Sequence, residues 1–294
     1  MLRSFFNYLE FEKRYSPNTL EAYKNDLNQF EDFISHTYSL TDVKEVKPVY
    51  IRSWIVDLHQ KGISNRSINR KLSSLKTFYS FLRKRHGLVH NPLRKIINPK
   101  VEKRLPLTLR KDHLDHMFET EASINENDEH HLRDQLILDI LYSCGLRRSE
   151  LMNLKLTDID PSRKMIRVIG KGNKERWIPI SGDLLSKLHH YLPVRASMLK
   201  EGHSYLFITN KGEPLYPKWV YNFVRNKLNL YTTIERKSPH ILRHSFATHL
   251  SDAGADLNAV KTLLGHASLA STQVYMHNTV EKLKKIYDQA HPKS

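Results

Sequence analysis

Apolar residues recur every three or four positions over residues 16–37, where Leu20, Tyr23, Leu27, Phe30 and Ile34 form one stripe. Ser16 is a capping residue type and Pro17 suits a first turn, so the spacing predicts a helix there. The same period predicts helices over about 48–60, with Ile51, Trp54, Ile55 and Leu58 inward, and over 64–86, with Ile68, Leu72, Leu75, Tyr79 and Leu82 inward. Between 91 and 106 the pattern breaks. Pro92, Pro99 and Pro106 oppose a continuous helix, and the stretch reads as an extended linker. Helical spacing resumes at 110–119, 130–143 and 149–154, with ETEASINENDEHH (119–131) read as an acidic surface loop. MIRVIGKGNKERWIPI (165–180) then alternates with a period of two around Gly170-Lys171-Gly172-Asn173, the mark of a hairpin. Further helices are predicted at 182–191, 217–229, 239–253, 256–264, 271–277 and 280–289. The expected fold is mainly α with a small antiparallel β-sheet. It is arranged as a helical domain over 1–90, a linker over 91–106 and a second domain over 107–294.

Composition supports two such cores: the chain has 294 residues, of which 39% are hydrophobic. No apolar run approaches the roughly 18 residues of a membrane span, and the first 30 residues lack a signal-peptide layout. Cys144 is the one cysteine, which excludes an internal disulfide framework and a cysteine-rich zinc site. The expected setting is a reducing cytoplasm. Charge changes the picture more. The net charge is +16, and from Lys61 to Arg104 there are thirteen Lys or Arg against one acid, Glu102. Such a concentration favours a polyanionic partner over a merely solvated face. Arg66, Arg70, Lys71 and Lys76 on the 64–86 helix, and Lys95, Lys100, Lys103 and Arg104 in the linker, are the expected DNA contacts.

HILRHSFATHL (240–250) places ionisable groups on an apolar helix. A zinc-protease reading needs His-Glu-x-x-His, and Ile241 stands where the glutamate belongs. Projected at 100° per residue, as an α-helix turns, His240, Arg243 and His244 share one face, and Leu242, Phe246, His249 and Leu250 the other. His249 therefore reads as a core histidine, while His244 is left open. Ser238 and Pro239 set His240 in the first turn, where free backbone N–H groups favour anions, and Arg243 lies one turn on.

Other stretches offer single candidates. In CGLRRSELMNL (144–154), Gly145 ends a helix and Arg147 sits at the junction, either as a surface arginine or as a bidentate grip on phosphate. Glu150 fixes that guanidinium, fixes a neighbouring histidine or simply carries surface charge. Lys171 tops the hairpin without a nucleotide-binding P-loop around it; it is a solvated turn lysine or a proton donor for a DNA groove. In LLGHASLASTQVYMH (263–277), Gly265 stops a helix capped by Asp256, His266 follows, and Ser271-Thr272 begin the helix carrying Tyr275. Alone, that tyrosine is an ordinary packing residue.

In order, Arg147, Lys171, His240-x-x-Arg243, His266 and Tyr275 resemble the tyrosine recombinase family, and closely its Xer type. The matching stretches are YSCGLRRSEL, VIGKGNKERWIPI, SPHILRHSFATHL, GADLNAVKTLLGHASLASTQVYMH and EKLKKIYDQAHP, with SPNTLEAYKNDLNQF and ISNRSINRKLSSLKTFYSFL resembling the family's core-binding domain. The departures are minor: Arg148 after the first arginine, Ala267 after His266, and Ser271 at a position that is often threonine.

The resemblance covers essentially the whole chain. It implies a two-domain, C-shaped DNA clamp with a SAM-like N-terminal domain, needing neither metal nor cofactor. It makes Tyr275 the nucleophile that forms a 3′-phosphotyrosine, with Arg147 and Arg243 neutralising the phosphate. Lys171 becomes the general acid, His240 an acid/base toward the tyrosine, His266 a phosphate ligand and Glu150 the residue that orients the cluster. It also implies a specific site on double-stranded DNA and a Holliday junction within a tetramer. That tetramer is either a homo-tetramer or a hetero-tetramer with a paralogous recombinase, with a DNA translocase as accessory partner. The final helix, KLKKIYDQAHP, is expected on a neighbouring protomer, and the location is the cytoplasm, at the bacterial nucleoid.

Rival readings are a non-catalytic DNA-binding protein, a relaxing topoisomerase, and the integrase or invertase of a mobile or invertible element. The short N-terminal domain favours Xer-like resolution of chromosome or plasmid dimers.

Overall fold

Ahead of the first expected helix the chain already folds: α1 (Leu2–Asn7) runs into a π-helical turn, Tyr8–Glu12, and together they bury Phe5 and Leu9. The computed structural model describes residues 1–102, 107–123, 129–170, 172–200 and 202–265. It separates into two units, Met1–Arg104 and Leu105–Ser294.

In the first unit the stripes become α2 (Pro17–Tyr38), α3 (Pro48–Gln60) and α4 (Asn65–Arg85). Each N-terminus has a local cause. Pro17 and Pro48 supply a fixed φ in a first turn, and the Ser64 hydroxyl accepts from the Ser67 N–H. The core joins Leu27, Phe30 and Ile34 to Trp54 and to Leu72, Leu75, Phe78 and Tyr79. Phe30 meets Trp54 edge to face at 5.0 Å.

One buried acid organises the polar side of this core. Asp26 is fully buried on α2 and accepts from Arg70 (2.5 and 2.8 Å), Lys71 (3.1 Å) and Ser74 (2.8 Å), all on α4. This corrects the expectation for Lys71. Its side chain is only 7% exposed, and its ammonium is spent on Asp26 and Gln29, so it is not a surface DNA contact. Its place in the turn of α4 faces α2, where an unpaired charge would be costly.

The expected linker is also not free over its first half. Leu93 and Ile96 are buried in the N-terminal core. Asn65 and Asn69 on α4 donate to the carbonyls of Lys100 (2.7 Å) and Pro99 (2.9 Å), and Lys76 donates to Asn98 (2.7 Å). Residues 91–100 thus lie along α4. Lys103 and Arg104 lie outside the described residues.

The second unit opens with α5 (Lys111–Ser123) and α6 (Glu129–Ser143). The surface loop expected over 119–131 is helical at both described ends. Glu121, 1% exposed, accepts from Lys227 (2.7 and 2.9 Å) and from Tyr231 (2.9 Å). A neutralising lysine and a tyrosine hydroxyl, far away in sequence, allow that acid to be buried.

After α7 (Arg148–Asn153) come β1 (Ile159–Asp160), β2 (Met165–Ile169) and β3 (Glu175–Pro179), an antiparallel sheet in the order β1-β2-β3. The hairpin register pairs Met165 with Pro179 and Ile169 with Glu175. Its turn closes with the Gly170 N–H on the Lys174 carbonyl at 2.8 Å. α8 (Gly182–Met198) continues through Pro193, past the expected end at 191. Arg195, buried in that extension, donates to the carbonyls of Tyr205, Leu206 and His203 and so holds the last turn in place. α9 (Pro217–Tyr231), α10 (Pro239–Asp252) and α11 (Leu257–Leu264) complete the described part. α6 packs against α8 and α10, with Leu136, Ile140 and Tyr142 sharing the core with Leu188, Leu242 and Phe246. The helices expected at 271–277 and 280–289 lie outside the described residues.

Candidate active site

Three helix ends meet at one carboxylate. α6 stops at Gly145, which adopts φ +56°, and a Cβ there would fall 2.5 Å from the Phe246 ring. Only glycine satisfies both demands, and the chain turns into α7 with Arg147 as its N-cap residue. Glu150, in the first turn of α7, reaches back to accept the Arg147 backbone N–H at 2.8 Å, as acids at that position commonly do. Its other oxygen accepts from the Arg147 guanidinium at 2.7 Å. Of the readings open for Glu150, the one realised is fixing the guanidinium.

Arg147 is 31% exposed at its side chain, and its Nη2 has only a long bond of 3.4 Å to the Gly265 carbonyl. Part of its fork therefore faces outward. Arg243, in the second turn of α10, is 8% exposed. Its Nη1 donates to the Gly145 carbonyl and its Nη2 to the Leu264 carbonyl at 2.6 Å; Nη1 also lies 3.8 Å from Glu150. These carbonyls belong to the C-terminal ends of α6 and α11, where helices leave acceptors unsatisfied and favour a cation. Burial first, then the Arg147 charge, pull the Arg243 pKa down to about 10. It remains a cation at neutral pH.

His240 stands on the first turn of α10, after Ser238 and Pro239. The Ser238 hydroxyl makes no capping bond, so the first turn is left with its N–H groups. Desolvation, then the charges of Arg148, Arg243 and Arg147, lower the His240 pKa below 6.5 and favour the neutral imidazole. His249 is a half-buried, satisfied histidine. Its Nε2–H donates to the Leu109 carbonyl at 2.9 Å, which leaves Nδ1 to accept from the Tyr142 hydroxyl at 2.9 Å. His244 is half-buried.

The residue that sequence reasoning missed is Arg176 on β3. Its Nη1 and Nη2 meet the two Glu150 oxygens at 3.0 and 2.8 Å, and its Nε donates to the Leu263 carbonyl at 2.7 Å. A signal was available. Arg176 shares the strand face of Ile178 and Ile180, both buried, and a charge on the apolar face of a strand needs a buried partner.

Burial raises the Glu150 pKa, but the Arg176 fork and then the Arg147 donors outweigh it, leaving the carboxyl below the ordinary value of 4.5. Among the described residues, no group of three or more His, Cys, Asp or Glu is placed to hold a metal ion. Arg147, Glu150, His240 and Arg243 are thus brought together. Lys171, His266 and Tyr275 lie outside the described residues. A buried carboxylate ringed by arginines, with a neutral histidine on a helix N-terminus nearby, is suited to gripping an oxyanion and handling a proton beside it.

Comparison with known proteins defines the class. Residues 108–282 match the phage integrase family, residues 2–86 match the phage integrase N-terminal SAM-like domain, and the chain belongs to the phage integrase family. Within it, the chain is a site-specific tyrosine recombinase. It is 37% identical over 296 residues to tyrosine recombinase XerC of Listeria monocytogenes serotype 4b (strain F2365), covering 99% of this chain and 97% of the relative. It is 38% identical over 294 residues to tyrosine recombinase XerC of Leptospira interrogans serovar copenhageni, covering 99% and 92%.

Among solved structures, a XerH site-specific recombinase bound to palindromic difH substrate in a post-cleavage complex matches with a TM-score of 0.72 at 25% identity, over 90% of this chain and 78% of that one. The Tn1549 transposon integrase in complex with transposon right end DNA also gives 0.72, at 18% identity, over 96% and 93%. This second likeness is one of fold.

Proposed function

We propose that this recombinase cuts and rejoins double-stranded DNA at one specific site through a 3′-phosphotyrosine, exchanges strands through a Holliday junction, and resolves chromosome or plasmid dimers. The observation that carries this reading is the pairing of Arg147 and Arg243 about Glu150, beside the α10 turn that bears His240.

The Tyr275 phenol oxygen attacks the scissile phosphorus, and the bond from phosphorus to the 5′-oxygen breaks. His240, neutral, takes the phenol proton, and Lys171 gives one to the departing 5′-oxygen. Arg147 and Arg243 neutralise the non-bridging oxygens, His266 adds a hydrogen bond, and Glu150 orients the arginines. The 5′-hydroxyl of a partner strand then attacks the phosphotyrosine and releases the phenol, so the energy of the broken bond is kept. The guanidinium and ammonium charges supply the stabilisation that a metal ion would otherwise supply.

Arg66, Lys95 and Lys100 are exposed on the N-terminal unit and suit contact with the DNA backbone; Arg70 is half-exposed beside them with its guanidinium on Asp26, Lys76 is bonded to Asn98, and Lys103 and Arg104 follow in sequence. The assembly is a tetramer, of this chain alone or with a paralogous recombinase, in which the segment 280–289 docks on a neighbour. A DNA translocase is the accessory partner, and the location is the cytoplasm, at the nucleoid. Among the described residues no helix is long and apolar enough to cross a membrane.

The test is Tyr275→Phe. The variant is expected to bind a DNA site with unchanged affinity and to form no covalent complex on a nicked suicide substrate, read on a denaturing gel. Cleavage at the wild-type rate would remove Tyr275 as the nucleophile.

A further inference from the structure

Arg176 is as enclosed at its side chain as Arg243, 10% exposed, and each of its three guanidinium nitrogens has an acceptor, where Arg243 bonds through two. The Arg176 bonds join three segments. β3 follows the turn closed between Gly170 and Lys174. Glu150 belongs to α7 and holds Arg147. Leu263 lies in the last turn of α11, two residues before Gly265 and three before His266.

The backbone is drawn in from two sides. A Cβ on Gly265 would lie 3.2 Å from the Arg176 guanidinium, and one on Gly170 would lie 3.5 Å from Glu150 and 3.6 Å from Arg176. Gly265 also takes φ +63°, a backbone conformation that disfavours side chains.

The bonding pattern assigns the consequence. Glu150 is 2% exposed and offers two oxygens, and the Arg176 fork engages both. Arg147 is then held by one guanidinium bond and one backbone bond, with its Nη2 edge left toward the outside. Without Arg176, the carboxylate would be under-neutralised and open to a full fork-to-fork pair with Arg147. That pair would turn the phosphate-binding edge of Arg147 inward. We propose that Arg176 is a positioning residue for strand cleavage: by occupying Glu150 it keeps the Arg147 guanidinium available to the scissile phosphate.

This inference rests on the assignment of Arg147 to the phosphate, and the test separates the two. Single-turnover cleavage is measured on two nicked substrates. One carries the natural scissile phosphodiester, and the other a methylphosphonate at that position, which has no negative charge for an arginine to neutralise. Arg176→Met is expected to lose about 100-fold on the phosphodiester, the size of one lost electrostatic donor. It is expected to lose less than about 5-fold on the methylphosphonate, with DNA affinity within about 2-fold of wild type on both.

Arg147→Ala serves as the benchmark and is expected to show the same selectivity. Equal losses by Arg176→Met on both substrates would mean general structural damage and overturn the inference, as would a phosphodiester rate within about 3-fold of wild type. If Arg147→Ala itself cleaves the phosphodiester normally, the assignment of Arg147 fails instead. Should the methionine variant not fold, Arg176→Lys is read in the same comparison, because it keeps the charge and loses the fork. Selectivity for the phosphodiester supports the proposal, and equal loss on both substrates overturns it.

Discussion

Basic residues of this chain do three different jobs that composition cannot separate. Lys71 is buried against Asp26, Arg176 neutralises Glu150, and Arg66 is exposed on α4. Charge type was legible in the sequence, and the strand period marked Arg176 as inward; the partners were not, because they are acids 45 and 26 positions away. The ordered set of site residues was more legible. Arg147, Glu150, His240 and Arg243 do come together, since Gly145 and Ser238-Pro239 mark the helix ends that carry them. At this scale the His240 pKa gives a prediction. Its ring C–H resonance is expected to titrate with a midpoint below 6.5, moving up toward 6.5 in Arg148→Gln, where the strongest of the neighbouring charges is removed. The sign follows from linkage. As pH falls through 6.5 the unfolded chain takes up a proton that the folded chain resists, so this group lowers stability in acid and has no effect above that range. A midpoint above 6.5 in the folded protein would contradict the account.

Among the elements, α3 ends where its apolar stripe predicts, and α2, α4 and the β2–β3 hairpin fall within a residue or two of expectation. Strong periodicity and local caps were enough there. Where they failed, the cause is tertiary. α8 runs past Pro193 because Arg195 finds three carbonyl acceptors on a later segment, and α5 extends to Ser123 because Glu121 finds Lys227 and Tyr231. No window of sequence shows those partners. The junction of α6 and α7 depends on one glycine. Gly145→Ala would need a side chain at φ +56° and 2.5 Å from the Phe246 ring. It is expected to destabilise the C-terminal unit by roughly 2–4 kcal/mol, combining backbone strain with overpacking. Urea denaturation followed by near-ultraviolet circular dichroism measures it, and a loss under about 1 kcal/mol would show that the junction relaxes cheaply.

At the scale of the molecule, each unit has its own apolar core, one centred on Phe30, Trp54 and Leu75 and the other on Ile140, Ile166 and Leu242. Their charges differ as well: Met1–Arg104 holds 20 Lys and Arg against 10 Asp and Glu, so the N-terminal unit carries ten of the sixteen net charges. Separate cores predict separate responses. Asp26→Ala strands the Lys71 ammonium in the first core at a cost of about 3–5 kcal/mol. Hydrogen exchange is expected to show α2 and α4 losing protection while α6 and α10 keep theirs. Equal loss in both units would mean that they unfold as one.

The Glu150 cluster has a bearing on how the protein answers its surroundings. Ions in solution screen the exposed basic residues of the N-terminal unit, but they scarcely reach a carboxylate 2% exposed among three guanidinium groups. Raising the ionic strength therefore loosens the hold on a polyanion while leaving the reactive geometry of the occupied protein as it was. Occupancy and chemistry are governed by two separate electrostatic controls, one open to the solvent and one closed to it.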